Sequence, residues 1–377
     1  MYEQIREDAL FVIIYSAVTA MAMMASCYLL FRRGNAFAPD VTPPARLRRW
    51  TGVFFAFLAL NHMWYMPFLF LTSSEDIRMV DYVGGMLDSV TVFPLSVVVL
   101  FAMLQDRRRP LWPIALMVAP ITLGTVVCVV TRSDALYPVM YGYVLLLGIG
   151  ITIYMAHAIR QYGRWLRDNY ADLEHKEVWQ SFTVLAIVLL VFVIYEFCYE
   201  GMAYLYAMLV ICVVLICFLL WRVETLSGLS IPGNDAEEAG DGPSLPTESN
   251  ALSSIALCNS IEPLLKQHCE EAQLYLQHDI SAIHLAKLIG TNRTYLSKYF
   301  ALKGITYNAY INGLRIQHFM RLYHETIANR QPMKTKQLAS LSGFHSYSTF
   351  NAAFKQSMGM TATEWMHNIA GQDSSDI

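Results

Sequence analysis

The chain has 377 residues, 55% of them hydrophobic and 15% charged, with a net charge of −3. A mean hydropathy of +0.37 is too apolar for an ordinary soluble protein and too polar for one embedded throughout in lipid, so the average joins two unlike halves.

Spanning a bilayer takes about 20 apolar residues, and the sequence predicts seven such runs at 9–31, 50–72, 80–104, 111–131, 136–159, 179–197 and 203–221. The first follows an acidic stretch (Glu3, Glu7, Asp8) and is too long for a signal-peptide core, so it reads as a retained span. Bases segregate between alternate loops. Arg32, Arg33, Arg46, Arg48 and Arg49 lie in the first, Arg107, Arg108 and Arg109 in the third, and Arg160, Arg164, Arg167 and Lys176 in the fifth. The second and fourth offer only Arg78 and Arg132, and the sixth none. The positive-inside bias then places the N-terminus outside and the C-terminus in the cytoplasm of a bacterial inner membrane.

Ionisable residues within hydrocarbon are costly and often functional. Asn61 and His62 in the second span, Asp88 in the third and Glu196 in the sixth are candidates for a signal site, with Asp81 at its rim and Tyr137, Tyr141 and Tyr143 as walls. The competing reading is ordinary hydrogen bonding between helices. Cys27, Cys128, Cys198, Cys212 and Cys217 fall in or beside apolar runs, Cys258 and Cys269 fall beyond them, and no pair has zinc-finger spacing. They read as small packing residues, and no metal or cofactor is expected.

Residues 1–224 thus form a candidate sensor domain, and residues 225–252, rich in Gly, Pro, Ser and acids, read as a flexible tether. A DNA-binding domain is expected over 253–370 and a disordered tail over 371–377. From Ile280 to Ala370 ten bases face two acids, Glu325 and Glu364, a surplus of eight positive charges suited to phosphate.

In SAIHLAKLIGTNRTYLSKYF, Ser281 is placed to cap a short helix and Gly290 to make a tight turn. Asn292 is then placed to cap a second helix whose Leu296, Tyr299 and Phe300 face a core. A second copy follows, with Ala339, Gly343 and SYSTFNAAFKQS, in which Phe350 and Phe354 turn inward. Between them, 305–325 has helical spacing. Some twenty residues make a helix of roughly 30 Å, near the 34–36 Å between successive major grooves on one face of a duplex.

LAKLIGTNRTYLSKYF, YINGLRI and LASLSGFHSYSTFNAAFKQSMGMT together resemble the AraC-type helix-turn-helix domain, over about residues 259–368. Phe319 stands where the family usually has a small residue, Ala362 replaces the usual proline, and Ser348 and Ala352 replace longer polar side chains. The resemblance implies two helix-turn-helix units joined by a long helix; with the seven apolar runs, the expected fold is all-α, a seven-helix membrane bundle followed by this soluble helical domain. The candidate DNA contacts are Arg293, Thr294, Ser297 and Lys298 in the first recognition helix, and Ser346, Tyr347, Ser348, Asn351 and Lys355 in the second. Arg and Lys suit the acceptor pair of guanine, while Ser and Thr select less.

The expected function is a membrane-anchored bacterial transcription regulator under control of a transmembrane sensor. Its expected partners are double-stranded DNA and membrane lipid, with RNA polymerase, a second copy of the chain, and a small-molecule or envelope signal as further candidates. A transporter or enzyme carrying the reader as an appendage is the alternative. The sequence has no H-E-x-x-H, phosphate-cradling Gly loop or nucleophile elbow, which favours the non-enzyme. A third reading keeps the spans as an anchor from which the tail is cut.

Overall fold

A computed structural model of the chain describes residues 7–32, 34–39, 41–133, 135–198, 201–229, 259–329 and 333–373. It divides into two compact units, Met1–Tyr162 with His175–Asn234, and Gly163–Glu174 with Asp235–Ile377. The regular structure among the described residues is helical with no strand, and an isolated antiparallel bridge pairs Tyr170 with Ser281.

The first unit is built from α1 (Ala9–Phe31), α2 (Ala45–Trp64), α3 (Ser74–Leu87), α4 (Phe93–Met103), α5 (Trp112–Thr131), α6 (Tyr137–Asn169), α7 (Trp179–Cys198) and α8 (Met202–Thr225). Asp8 caps α1 by accepting from Phe11 N at 3.0 Å. Gly52 lets α1 and α2 approach closely, because a Cβ there would meet Leu30 at 2.8 Å, and Ser26 Oγ donates to the Gly52 carbonyl at 2.8 Å. Small and hydroxylated residues at a seam are how apolar helices associate where no hydrophobic difference separates helix from lipid.

Among the described residues, six helices are long and apolar enough to cross a membrane, at Ala9–Phe31, Ala45–Leu69, Glu75–Met103, Trp112–Thr131, Pro138–Asn169 and Met202–Thr225. The expected sixth span falls on α7, where Trp179–Val188 is a shorter apolar helix among the described residues. At two of the expected spans the helix runs beyond the apolar stretch. The third begins in α3 at Ser74 and passes through a π-helical turn, Asp88–Val92, into α4. Pro94 explains the turn: it has no N–H to donate and its ring crowds the preceding turn, so the backbone widens just before it. The fifth, expected to stop at 159, continues to Asn169, and 33 residues rise about 50 Å against a hydrocarbon core of about 30 Å.

The start of the expected tether is held in place. Ser227 N donates to the His175 carbonyl at 2.7 Å, Gly228 N to the Thr42 carbonyl at 2.8 Å, and Leu229 N to Gln105 Oε1 at 2.8 Å. The remainder, 230–252, lies outside the described residues.

In the second unit, helical residues 259–265 run into a π-helical turn, Lys266–Glu271, followed by α9 (Ala282–Leu288), α10 (Arg293–Leu302), α11 (Tyr307–Ala328), α12 (Thr335–Leu341), α13 (Tyr347–Met358) and α14 (Ala362–Asp373). α11 joins two cores. Its first half packs Tyr307 and Ile311 with Leu285, Ala286, Leu296 and Phe300. Its second half packs Ile316 and Phe319 with Leu338, Phe344, Phe350, Phe354 and Trp365. Phe319 is accommodated by aromatic packing, with Phe350 at 4.6 Å and Phe354 at 5.8 Å between ring centroids. Ala362 is fully buried at the start of α14, where Thr361 and Glu364 cap reciprocally through Thr361 N to Glu364 Oε2 at 2.7 Å and Glu364 N to Thr361 Oγ1 at 3.3 Å. α14 runs three residues into the segment expected to be a disordered tail, and 374–377 lie outside the described residues.

Candidate nucleic-acid interface

α10 and α13 begin alike. Asn292 caps α10 by accepting from Tyr295 N at 2.9 Å, and Ser346 caps α13 by accepting from Thr349 N at 3.2 Å. The preceding turns need positive φ, supplied by Gly290 at 69° and Gly343 at 88°. From these caps the two helices share a register: Leu296 and Phe350 are buried, and so are Phe300 and Phe354 one turn later. The opposite faces remain accessible, so the core fixes which side of each recognition helix can meet a ligand.

Thr294, Ser297 and Lys298 are exposed on α10, and Ser348 and Lys355 on α13, with Asn351 half-buried beside them. Lys298 Nζ stands 5.9 Å over the Tyr295 ring. Ser346 is instead a capping residue, its hydroxyl committed to the helix start. Tyr347 is half-buried, its ring stacked 5.8 Å from Phe350, so most of it serves the second core. Arg293 is also half-buried, because its Nε donates to Asn169 Oδ1. Burial draws its guanidinium below the ordinary value, against the pull of Tyr170 and Asp168.

The sequence reading missed Asn169 and Thr349. Thr349 Oγ1 donates to Glu174 Oε2 at 3.3 Å, while Asn308 Nδ2 donates to the carbonyls of Tyr170 at 3.2 Å and Ala171 at 2.6 Å. Residues 163–174 therefore belong to this unit, and no local pattern would assign them to a partner more than a hundred positions away. Arg315, one of the ten bases of the basic segment, is fully buried and donates to the carbonyls of Tyr275, Gln277 and His278 at 2.7, 2.7 and 3.1 Å. It is a structural residue and leaves the phosphate-facing set.

In the first unit, the structure brings some of the candidate signal residues together. Asn61 is buried, and its Nδ2 donates to Asp88 Oδ1 at 2.7 Å and Thr91 Oγ1 at 3.0 Å, while Tyr65 OH donates to Asp88 Oδ2 at 3.0 Å. His62, the next residue of α2, stacks on Tyr15 of α1 at 5.0 Å. A cleft of about 410 Å³, lined by Phe57, Asn61, Trp64, Leu87 and Thr91, opens beside the cluster. Asp81 is exposed on α3, and Tyr143 OH donates to the Met117 carbonyl at 2.9 Å. The side chains of Glu196, Tyr137 and Tyr141 lie outside the described residues.

Residues 285–368 match the family described as "Helix-turn-helix domain". Two sequences named "TCP pilus virulence regulatory protein", from two strains of Vibrio cholerae serotype O1, are each 32% identical over 81 residues, 22% of this chain and 28% of the relative. The chain thus spans under a third of the length of the curated relatives it matches. No solved structure matches the chain. With two capped helix-turn-helix units on one joining helix and that match over the same residues, the C-terminal part of this chain is an AraC-type helix-turn-helix domain.

Proposed function

We propose that the chain is a membrane-anchored bacterial transcription regulator that reads duplex DNA with α10 and α13. The observation that carries this reading is the pair of recognition helices in matching register, with Thr294, Ser297, Lys298, Ser348 and Lys355 exposed on the faces left by the two cores. Helix N-termini of this motif enter the major groove, where side chains reach base edges, while lysines at the flanks meet phosphate. The name of the Vibrio cholerae relatives supports a regulatory role. The loop bases support an outside N-terminus and a reader on the cytoplasmic side, and the six long apolar helices support anchoring in the inner membrane.

The bundle serves as the sensor. Its signal site is the Asn61, Asp88, Thr91 and Tyr65 cluster with its adjoining cleft, with His62 the next residue along, and it suits a membrane-dissolved molecule with a small hydrogen-bonding head on an apolar body. Residues 230–252 tether the reader, which raises effective concentration when two copies bind neighbouring half-sites. Contacts with RNA polymerase and pairing of two chains belong to the same reading.

Genome-wide occupancy of the full chain beside the Arg293→Ala, Lys298→Ala variant tests it. Discrete peaks that vanish in the variant support the reader. An absence of peaks in every growth condition overturns it and favours a transporter or enzyme with a helix-turn-helix appendage.

A further inference from the structure

Residues 168–174, Asp-Asn-Tyr-Ala-Asp-Leu-Glu, carry three acids and no base. They run from the start of one recognition helix to the start of the other. Asn169 Oδ1 accepts from Arg293, the first residue of α10, and Glu174 Oε2 accepts from Thr349, the third residue of α13, at 3.3 Å. Between these ends, Ala171 is fully buried in the first core, and Asn308 holds its carbonyl at 2.6 Å. Asn312 Nδ2 reaches the same oxygen at 3.4 Å.

The N-terminal ends of recognition helices are the parts that enter a major groove, and Arg293 is the side chain of α10 best suited to guanine. A segment that engages both ends, with the exposed Asp168 acting on Arg293 and Glu174 bonded to Thr349 while Asp172 is buried, is a ligand of the DNA-reading face. We propose that residues 168–174 form an acidic, autoinhibitory strap that duplex DNA must displace from Arg293 and Thr349, so that strap and duplex are alternative occupants of one surface. Lys298 and Lys355 stay exposed with the strap in place. Phosphate can therefore be engaged first, with Arg293 delivered only on release. The strap continues directly from the long α6 and leads into α7, so the chain segment between the fifth and sixth expected spans is where a change in the bundle reaches the reader. The strap has meaning only for a DNA reader, and so it rests on the proposed function.

The test uses the full chain in lipid nanodiscs and a fluorescein-labelled, mixed-sequence 40-base-pair duplex. Amide exchange across 168–174 is expected to rise about five- to tenfold at saturating duplex. The Asn169→Ala, Glu174→Ala variant is expected to bind about five to ten times more tightly, as when a competent state populated at roughly 10–20% becomes dominant. Duplex binding with unchanged exchange at 168–174 and unchanged affinity in the variant would overturn the strap while leaving the DNA reader standing. No duplex binding by either form would overturn the reader, and the strap with it. If the double variant does not fold, the exchange measurement on the unaltered chain decides alone.

Discussion

Arg315 places its guanidinium where water does not reach, and burial draws it below the ordinary arginine value against the pull of Asp172 and Tyr307. It keeps its place because the 275–278 loop offers three carbonyls in one direction, with the Phe344 ring 5.6 Å away. Cutting it back strands those carbonyls. Arg315→Ala should cost roughly 3 kcal/mol of local stability. Cys269 reports this, because its thiol is fully buried in the same unit. Burial, then Glu270, pushes that thiol up to about 12. A thiol kept neutral by folding contributes fully below its ordinary value of 9.0, and the contribution is lost as pH rises through about 12. At pH 8 alkylation should then proceed through opening alone. Site-resolved mass spectrometry should find Cys269 labelled about a hundredfold faster in Arg315→Ala than in the parent chain, since 1.4 kcal/mol corresponds to about tenfold. An unchanged rate would remove Arg315 from the framework of the unit. Nothing in the sequence separates Arg315 from Arg321 or Lys298 as a surface base; only the loop of carbonyls around it does.

Among elements, the turns before the two recognition helices look equivalent in sequence and differ in space. Both need a glycine for positive φ, but a Cβ on Gly290 would meet nothing within 4 Å, while on Gly343 it would lie 2.7 Å from Leu276 Cα and 2.9 Å from its carbonyl oxygen. Gly290→Ala should therefore cost only the left-handed backbone, about 1–2 kcal/mol. Gly343→Ala must also displace backbone and should lower the unfolding midpoint further. Thermal unfolding of the two full-length variants side by side checks the order, and equal midpoints would contradict the close approach. The caps at Ser281 and Asn292 and the inward Leu296, Phe300, Phe350 and Phe354 were legible because each follows from chemistry within a few residues. Ser346 and Tyr347 were not assigned to capping and core, because helix register had to be known before either side chain could be aimed. The extension of α6 to Asn169 was hidden because hydropathy ends with the hydrocarbon and a helix need not.

Over the whole chain, charge is partitioned as sharply as hydropathy. A net charge of −3 conceals a C-terminal stretch eight units positive between Ile280 and Ala370 and the acidic 168–174 segment that belongs with it. Duplex binding should accordingly fall steeply with salt. If Lys298 and Lys355 each neutralise one phosphate, the Lys298→Ala, Lys355→Ala variant should reduce the slope of log affinity against log salt by about 1.8. Anisotropy titrations from about 50 to 200 mM salt check this range, and an unaltered slope would show that neither lysine meets the backbone. The two-part plan of membrane helices and reader was plain in the sequence, since composition changes abruptly after Trp221 and Arg222. The return of residues 163–174 to the C-terminal unit was not, because it depends on contacts such as Arg293 with Asn169, 124 positions apart.

The π-helical turn at Asp88–Val92 is in effect a dislocation in an otherwise regular helix, one surplus residue held in a single turn ahead of Pro94. A dislocation can step along its helix without changing the helix's length, and each residue it passes swings through about 100°. Asp88 and Thr91, which hold Asn61, sit inside it. A single step would exchange the partners of Asn61 for a different set and leave the ends of the span where they are.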